Sequence, residues 1–213
     1  LNISKKDMLL YVVTDRSWLG KNDLAAQVED TLRAGATFVQ LREKQLDDAA
    51  FLAEARRIKA VTDRYGVPFV INDNVRVALA CGADGVHVGQ EDMEAGDVRK
   101  LLGPDKILGV SAHTMEEARL AEARGADYLG VGAVFSTSTK LDVNTLPFET
   151  LREICGAVSI PVVAIGGISR DNIRKLKGSG IGGVAVISAI FAQPDIYAAA
   201  RELYNLSKEV TTA

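Results

Sequence analysis

Gly35-Ala36-Thr37-Phe38-Val39-Gln40-Leu41-Arg42-Glu43-Lys44 joins a helix stop to an apolar run that reads as a buried β-strand over Phe38–Arg42. Alternate side chains of a strand share a face, so Gln40, Arg42 and Lys44 point one way while Val39 and Leu41 point the other. An amide and two cations on one side of a strand are costly in a packed core. They fit an edge strand with one face in water, or a strand whose inner face looks into a polar cavity that holds an anion. The rest of the chain decides between the two.

The opening triplet returns three times. Gly82-Ala83-Asp84, Gly125-Ala126-Asp127 and Gly180-Ile181-Gly182 each end a helical stretch and lead straight into a strand. Strands are expected at Leu9–Val13, Phe38–Arg42, Phe69–Asp73, Gly85–Gly89, Ile107–Val110, Tyr128–Ala133, Val162–Ile165 and Val184–Ile187. Helical stripes alternate with them. One carries Leu24, Val28 and Leu32 and stops at Gly35; another is capped by Asp47 and carries Phe51, Ala55, Ile58, Val61 and Tyr65 before Gly66 and Pro68. A short stretch leads to Cys81, Thr114 caps a further helix, and others start near Pro147 and Asp195.

The echo precedes strands two, four, six and eight, which predicts quasi-fourfold construction within one closed (β/α)8 TIM barrel spanning 1–213. An open doubly wound sheet would want a glycine-rich first turn, and Thr14-Asp15-Arg16-Ser17-Trp18 is not one. In a barrel both strand faces are covered. Val39 and Leu41 then face the helices, and Gln40, Arg42 and Lys44 face inward toward the C-terminal mouth.

Bulk properties exclude several classes of function. The 213 residues carry a net charge of -3 with no basic stripe, so no nucleic-acid partner is expected. Hydrophobic residues at 47 % and charged residues at 25 % suit a soluble protein with a real core. No apolar run reaches the ~18 residues of a membrane span, so no membrane partner is expected. Cys81 and Cys155 lack metal-ligand spacing and read as free thiols of a reducing compartment, and a cytoplasmic location is expected.

Active sites of such barrels lie at the C-terminal ends of the strands. Those ends carry Gln40, Arg42 and Lys44, then Asn72 and Asp73, then Gln90-Glu91-Asp92, then Ser111. Phe135 to Leu146 is long for a βα connection and reads as a lid that contains Lys140. Asp73 and Asp92 each also fit a helix cap. Together, among Arg42, Lys44 and Lys140, they suit a Mg²⁺ held by a few hard oxygens beside a diphosphate, with Glu91 as a substitute ligand. Gly166-Gly167 and Ile187-Ser188 occupy the usual phosphate corner of these barrels. His87 reads as a satisfied core histidine and His113 as a neighbour of a helix cap. Neither stands beside a candidate nucleophile, so a Ser-His-Asp hydrolase has little support.

These residues resemble the thiamine phosphate synthase family along essentially the whole chain. The resemblance is carried by Gln40-Leu41-Arg42-Glu43-Lys44, Asn72-Asp73, Gly85 to Asp92, Gly109-Val110-Ser111, Thr137-Ser138-Thr139-Lys140, Gly166-Gly167-Ile168 and Ile187-Ser188. It implies a transferase of thiamine biosynthesis that acts on small phosphorylated substrates. In the implied reaction a pyrimidine diphosphate would join a thiazole phosphate, giving thiamine phosphate and diphosphate through a carbocation-type displacement. Carried over by position, Gln40, Leu41, Arg42, Glu43, Lys44, Asn72, Ser111 and Lys140 would hold the pyrimidine diphosphate. Arg42, Lys44, Lys140 and Ser111 would act in catalysis. Thr137, Ser138, Thr139, Gly167, Ile187 and Ser188 would hold the thiazole phosphate, and Asp73 and Asp92 the Mg²⁺. Ala133, where proline is common in the family, and the stretch 141–148, which lacks a glycine often seen there, depart from the pattern and bear on the lid.

Two rivals differ in chemistry. A thiazole tautomerase-like relative tends to lose the diphosphate and metal set and to use a histidine near strand six, which has none here. A non-catalytic phosphate-binding barrel would hold one ligand and release no diphosphate.

Overall fold

Eight strands close in chain order into one parallel ring: β1 (Leu10–Val13), β2 (Phe38–Leu41), β3 (Phe69–Asn72), β4 (Gly85–Val88), β5 (Ile107–Ala112), β6 (Tyr128–Gly132), β7 (Val162–Ile165) and β8 (Gly183–Val186). The computed structural model describes residues 3–20, 22–89, 95–136 and 145–212. The ring is sealed by β8 on β1, with Leu10 beside Val184 and Val12 beside Val186. A closed ring has no edge, so the edge-strand alternative for Phe38–Arg42 is removed.

Outside the ring lie α1 (Leu24–Ala34), α2 (Asp48–Tyr65), α3 (Val75–Cys81), α4 (Ala95–Leu102), α5 (Met115–Ala123), α6 (Phe148–Ala157), α7 (Ser188–Phe191) and α8 (Ile196–Thr211). The expected stops hold: Gly35 and Gly66 close α1 and α2 in the left-handed conformation that glycine adopts without penalty. The expected caps hold too, with Asp47 accepting from Ala50 N and Thr114 from Glu117 N. The connection from β7 to β8 carries only a 3₁₀ turn, Ile173–Leu176.

Strand alternation divides the interior into two cores. Val39 and Leu41 are fully buried in the layer between strands and helices, with Leu24, Val28, Phe51 and Ile58. The inward residues form a second cluster that includes Met8, Tyr11, Phe38, Ile107, Tyr128 and Val163. Burying each such side chain contributes about 1.5–3 kcal/mol, so reversing one strand's faces would forfeit several of these terms together.

The fourfold echo has a structural counterpart at the base of the ring. The residue before each even strand donates its backbone N–H to the odd strand before it: Thr37 to Leu10, Asp84 to Phe69, Asp127 to Leu108 and Gly182 to Val162. In three of the four quarters the same residue's side chain takes a bond in return. Thr37 Oγ1 accepts from Leu10 N at 2.9 Å, Asp84 Oδ2 from Phe69 N at 2.9 Å and Asp127 Oδ2 from Leu108 N at 2.7 Å. These reciprocal clips satisfy strand-start amides that have no ladder partner there. The fourth quarter has Gly182, where a Cβ would press on Lys5 at 3.2–3.3 Å.

Candidate active site

A cleft opens at the C-terminal mouth of the ring, and its wall is drawn from every strand. Gln40, Arg42, Asn72 and Ser111 stand on one side, and Gly167, Ile187 and Ser188 on the other. Seven of the residues singled out from sequence therefore share one cavity.

Strand β2 ends at Leu41, one residue earlier than expected, and Arg42 opens the loop. Its backbone N–H is pinned to Thr14 Oγ1 at 3.1 Å, and its guanidinium lies 3.9 Å from Asp15. Only 17 % of that side chain is exposed. A cation held this way has surrendered part of its hydration before a ligand arrives, which favours binding an anion. Lys44 lies further out, exposed and off the cleft wall. Leu41 is fully buried in the helix-facing layer, so its side chain does not reach the cleft. Glu43 is turned away as well. Its carboxylate takes a two-pronged pair from Arg16, Nη2 to Oε1 at 2.7 Å and Nε to Oε2 at 3.3 Å, and its side chain is 2 % exposed. Arg16 also approaches Glu54 at 3.8 Å.

Asp73 departs from the helix-cap alternative. The cap of α3 is Asn74, whose Oδ1 accepts from Val77 N at 2.9 Å. Asp73 adopts a left-handed backbone with φ of 62°, unusual for a non-glycine residue, and its N–H is tied to the carbonyl of His87 at 2.8 Å. Its carboxylate is exposed at the mouth and accepts from the Asn72 amide. Strain of this kind gathers at functional sites. Among the described residues no three His, Cys, Asp or Glu side chains cluster as a metal cage. Asp92, its alternative Glu91, and Thr137, Ser138, Thr139 and Lys140 lie outside the described residues.

On the opposite side, Gly166 and Gly167 both have positive φ, 99° and 64°. A Cβ on Gly167 would meet the carbonyl of Ser136 at 2.3 Å, so glycine lets the β6 loop close against the β7 exit. Asn172 Nδ2 holds the Gly167 carbonyl at 2.8 Å, and Phe135 N holds that of Gly166 at 3.0 Å. Ser188 begins α7 directly after Ile187, beside this corner.

The cleft floor contains groups that the sequence reading left in the core. His87 and Tyr11 line it, and His113 stands at its side. His87 Nδ1 lies 2.9 Å from Tyr128 Oη, and its Nε2 lies 3.0 Å from Ser111 Oγ. The signal was the alternation already applied to β2: His87 sits between Val86 and Val88 as Gln40 sits between Val39 and Leu41. Burial pushes the phenols of Tyr11 and Tyr128 well above the ordinary tyrosine range, so both keep their protons.

A cleft of this make-up, with a tethered arginine facing a glycine-lined corner, invites comparison with known proteins. A family model described as thiamine monophosphate synthase matches residues 10–190. This chain belongs to the thiamine monophosphate synthase family. A thiamine-phosphate synthase from Clostridioides difficile is 53 % identical over 192 residues, covering 90 % of this chain and 91 % of the relative. One from Clostridium tetani is 50 % identical over 203 residues, covering 95 % and 97 %. Among solved structures, a thiamine phosphate pyrophosphorylase from Pyrococcus furiosus superposes with a TM-score of 0.89 at 40 % identity, covering 97 % of this chain and 98 % of that one. Membership of the thiamine monophosphate synthase family makes the chain a transferase, and the parallel barrel is the fold it shares with that solved relative.

Proposed function

We propose that this protein joins 4-amino-5-hydroxymethyl-2-methylpyrimidine diphosphate to a thiazole phosphate, releasing diphosphate and leaving thiamine phosphate. The observation that carries the reading is the single cleft in which Gln40, Arg42, Asn72 and Ser111 face Gly167, Ile187 and Ser188. Two phosphorylated substrates need two anion-binding walls across one reaction space, and this arrangement suits that need.

In this reading Arg42 binds the diphosphate, Gln40 and Asn72 orient the pyrimidine end, and Ser111 touches the ring. Lys44 reaches the diphosphate from the rim, Lys140 from the lid, and Glu43 contributes by fixing the loop that carries Arg42. The corner at Gly167, Ile187 and Ser188 takes the thiazole phosphate together with Thr137, Ser138 and Thr139. Loss of the diphosphate leaves a cation on the pyrimidine methylene carbon, which the thiazole nitrogen attacks. Such a displacement needs charge neutralisation at the leaving group and exclusion of water rather than a strong base. Tethered Arg42 and the apolar side chains of Val13, Val163 and Ile165 in the cleft suit those two demands.

Asp73 fits one ligand of a Mg²⁺, since its exposed carboxylate is not engaged as the helix cap and Mg²⁺ is commonly held by one or two carboxylates plus phosphate and water. Asp92 is the second candidate. When bound, the ion would neutralise charge on the departing diphosphate. The small-molecule partners and a cytoplasmic site of action belong to the same proposal; no helix among the described residues is long and apolar enough to cross a membrane.

The test mixes both phosphorylated substrates with Mg²⁺ and follows diphosphate and thiamine phosphate. Equimolar appearance of the two is expected. Absence of diphosphate from folded protein would overturn the synthase reading. Conversion of the thiazole phosphate without the pyrimidine substrate would favour a tautomerase.

A further inference from the structure

One chain of hydrogen bonds crosses the barrel interior from the wall at β2 to the wall at β5. Gln40 Nε2 donates to Tyr11 Oη at 2.5 Å, Tyr11 Oη lies 2.7 Å from Tyr128 Oη, Tyr128 Oη lies 2.9 Å from His87 Nδ1, and His87 Nε2 lies 3.0 Å from Ser111 Oγ. Gln40 and Ser111, its two ends, both line the cleft. The barrel is cleared for it. A Cβ on Gly109 would sit 2.1 Å from Tyr128 Cζ, and one on Gly130 would sit 3.1 Å from His87 Cε1. Phe38 packs edge-on against the Tyr128 ring at 5.4 Å and tilted against Tyr11 at 4.6 Å, which fixes both phenols.

The chain has a direction. An amide nitrogen has only hydrogens to give, so Tyr11 oxygen accepts from Gln40. The Tyr11 hydrogen, on a residue 1 % exposed, then goes to Tyr128. The Tyr128 hydrogen in turn goes to His87 Nδ1, which must be bare to accept it. A histidine accepting at Nδ1 is neutral and carries its hydrogen on Nε2, where Ser111 Oγ is the acceptor.

We propose that Gln40, Tyr11, Tyr128 and His87 form a one-way relay that locks the Nε2–H tautomer of His87 and thereby turns the Ser111 hydroxyl into a donor toward an acceptor atom of the bound pyrimidine substrate. Tyr11, Tyr128 and His87 are positioning residues, acting through Ser111. The assignment of that acceptor to the pyrimidine rests on the synthase reading; the tautomer does not.

The test is ¹⁵N NMR of histidine-labelled free enzyme, with His113→Gln used to assign the two rings. A bare Nδ1 and protonated Nε2 on His87 is expected; Nδ1–H or a doubly protonated ring at neutral pH would overturn the relay. Tyr128→Phe and Tyr11→Phe keep the rings and remove one hydroxyl each. Both are expected to mix the tautomers of His87 and to lower kcat about tenfold, the scale of one lost hydrogen bond, with the KM for thiazole phosphate unchanged. Wild-type tautomer and kcat in folded Tyr128→Phe would equally overturn it. Lack of synthase activity in the wild type would sink the functional reading while leaving the NMR result standing.

Discussion

Arg16 and Glu43 are locked together behind the loop that carries Arg42, with two parallel bonds and only 2 % of the Glu43 side chain exposed. Hydrogen bonding to Glu43 pushes the Arg16 guanidinium pKa up, so Arg16 keeps its charge. Glu43→Ala removes the anion and leaves Arg16 facing Glu54 alone. Because Arg16 keeps partial contact with water, the expected cost is about 2 kcal/mol, below that of a fully buried pair. Urea unfolding measures it, and an unchanged midpoint would show that the pair does not hold the loop.

Arg42→Lys preserves charge and discards the planar fork. A lysine cannot hold Asp15 and two phosphate oxygens in the same geometry, so the KM for the pyrimidine diphosphate is expected to rise about tenfold, with thiazole phosphate binding spared. Steady-state kinetics with each substrate varied in turn separates the two. Equal effects would place Arg42 outside the diphosphate half.

Asp73 sets stability against function. Glycine adopts a φ of 62° freely, so Asp73→Gly is expected to stabilise the fold by about 1 kcal/mol. The same change removes the carboxylate, and the Mg²⁺ concentration for half-maximal activity is expected to climb. Asp73→Asn, which tolerates the left-handed backbone, is the control that removes charge alone. A melting scan with a Mg²⁺ titration checks both halves; an unchanged Mg²⁺ response in both variants would move the metal elsewhere.

At Gly167 the conformation and the space agree. Alanine there would be strained at φ 64° and would press on the carbonyl of Ser136 at 2.3 Å. Gly167→Ala is expected to lower the melting temperature and to raise the KM for thiazole phosphate more than that for the pyrimidine diphosphate. The reverse order would contradict the assigned halves of the cleft.

Cys155 carries a pH dependence. Burial pushes its thiol up from 9.0 to about 11. The folded state therefore holds a proton that the unfolded chain releases, so its contribution is intact below pH 9 and declines as pH rises through 11. Cys155→Ala is expected to flatten the loss of stability across that window, and denaturant midpoints at pH 8 and pH 10.5 read the difference.

The ring was legible because its signals are local. Glycine stops, capping residues and two-residue alternation all act within a few positions, and the echo at Thr37, Asp84 and Asp127 showed how many quarters to expect. The polar side of Gln40 and Arg42 was legible for the same reason. Glu43 was not, because its partner Arg16 comes from another loop and only the closed ring brings them together. His87 obeyed the alternation rule but was read as core, since nothing in the sequence says that Gly109 and Gly130 leave room for a polar chain. The left-handed backbone of Asp73 was hidden too, because Asn74 takes the cap that either residue is able to make.

Gly182 breaks the pattern of side-chain clips, and its position gives the break a meaning. The bare backbone there admits the turn Lys5–Met8, whose Met8 is fully buried under the inner cluster and whose carbonyl lies where a Cβ of Gly183 would be, at 1.9 Å. The last seam of the ring is the one that must unite the two most distant parts of the chain, where loop-closure entropy is largest. Ser207 of α8 reaches the carbonyl of Leu9 across the same seam. Three quarters of the base are fastened by side-chain clips from their own loops, whereas beside the fourth the β8–β1 seam works as a keystone joint, shut by a turn and a helix that approach from opposite ends of the sequence.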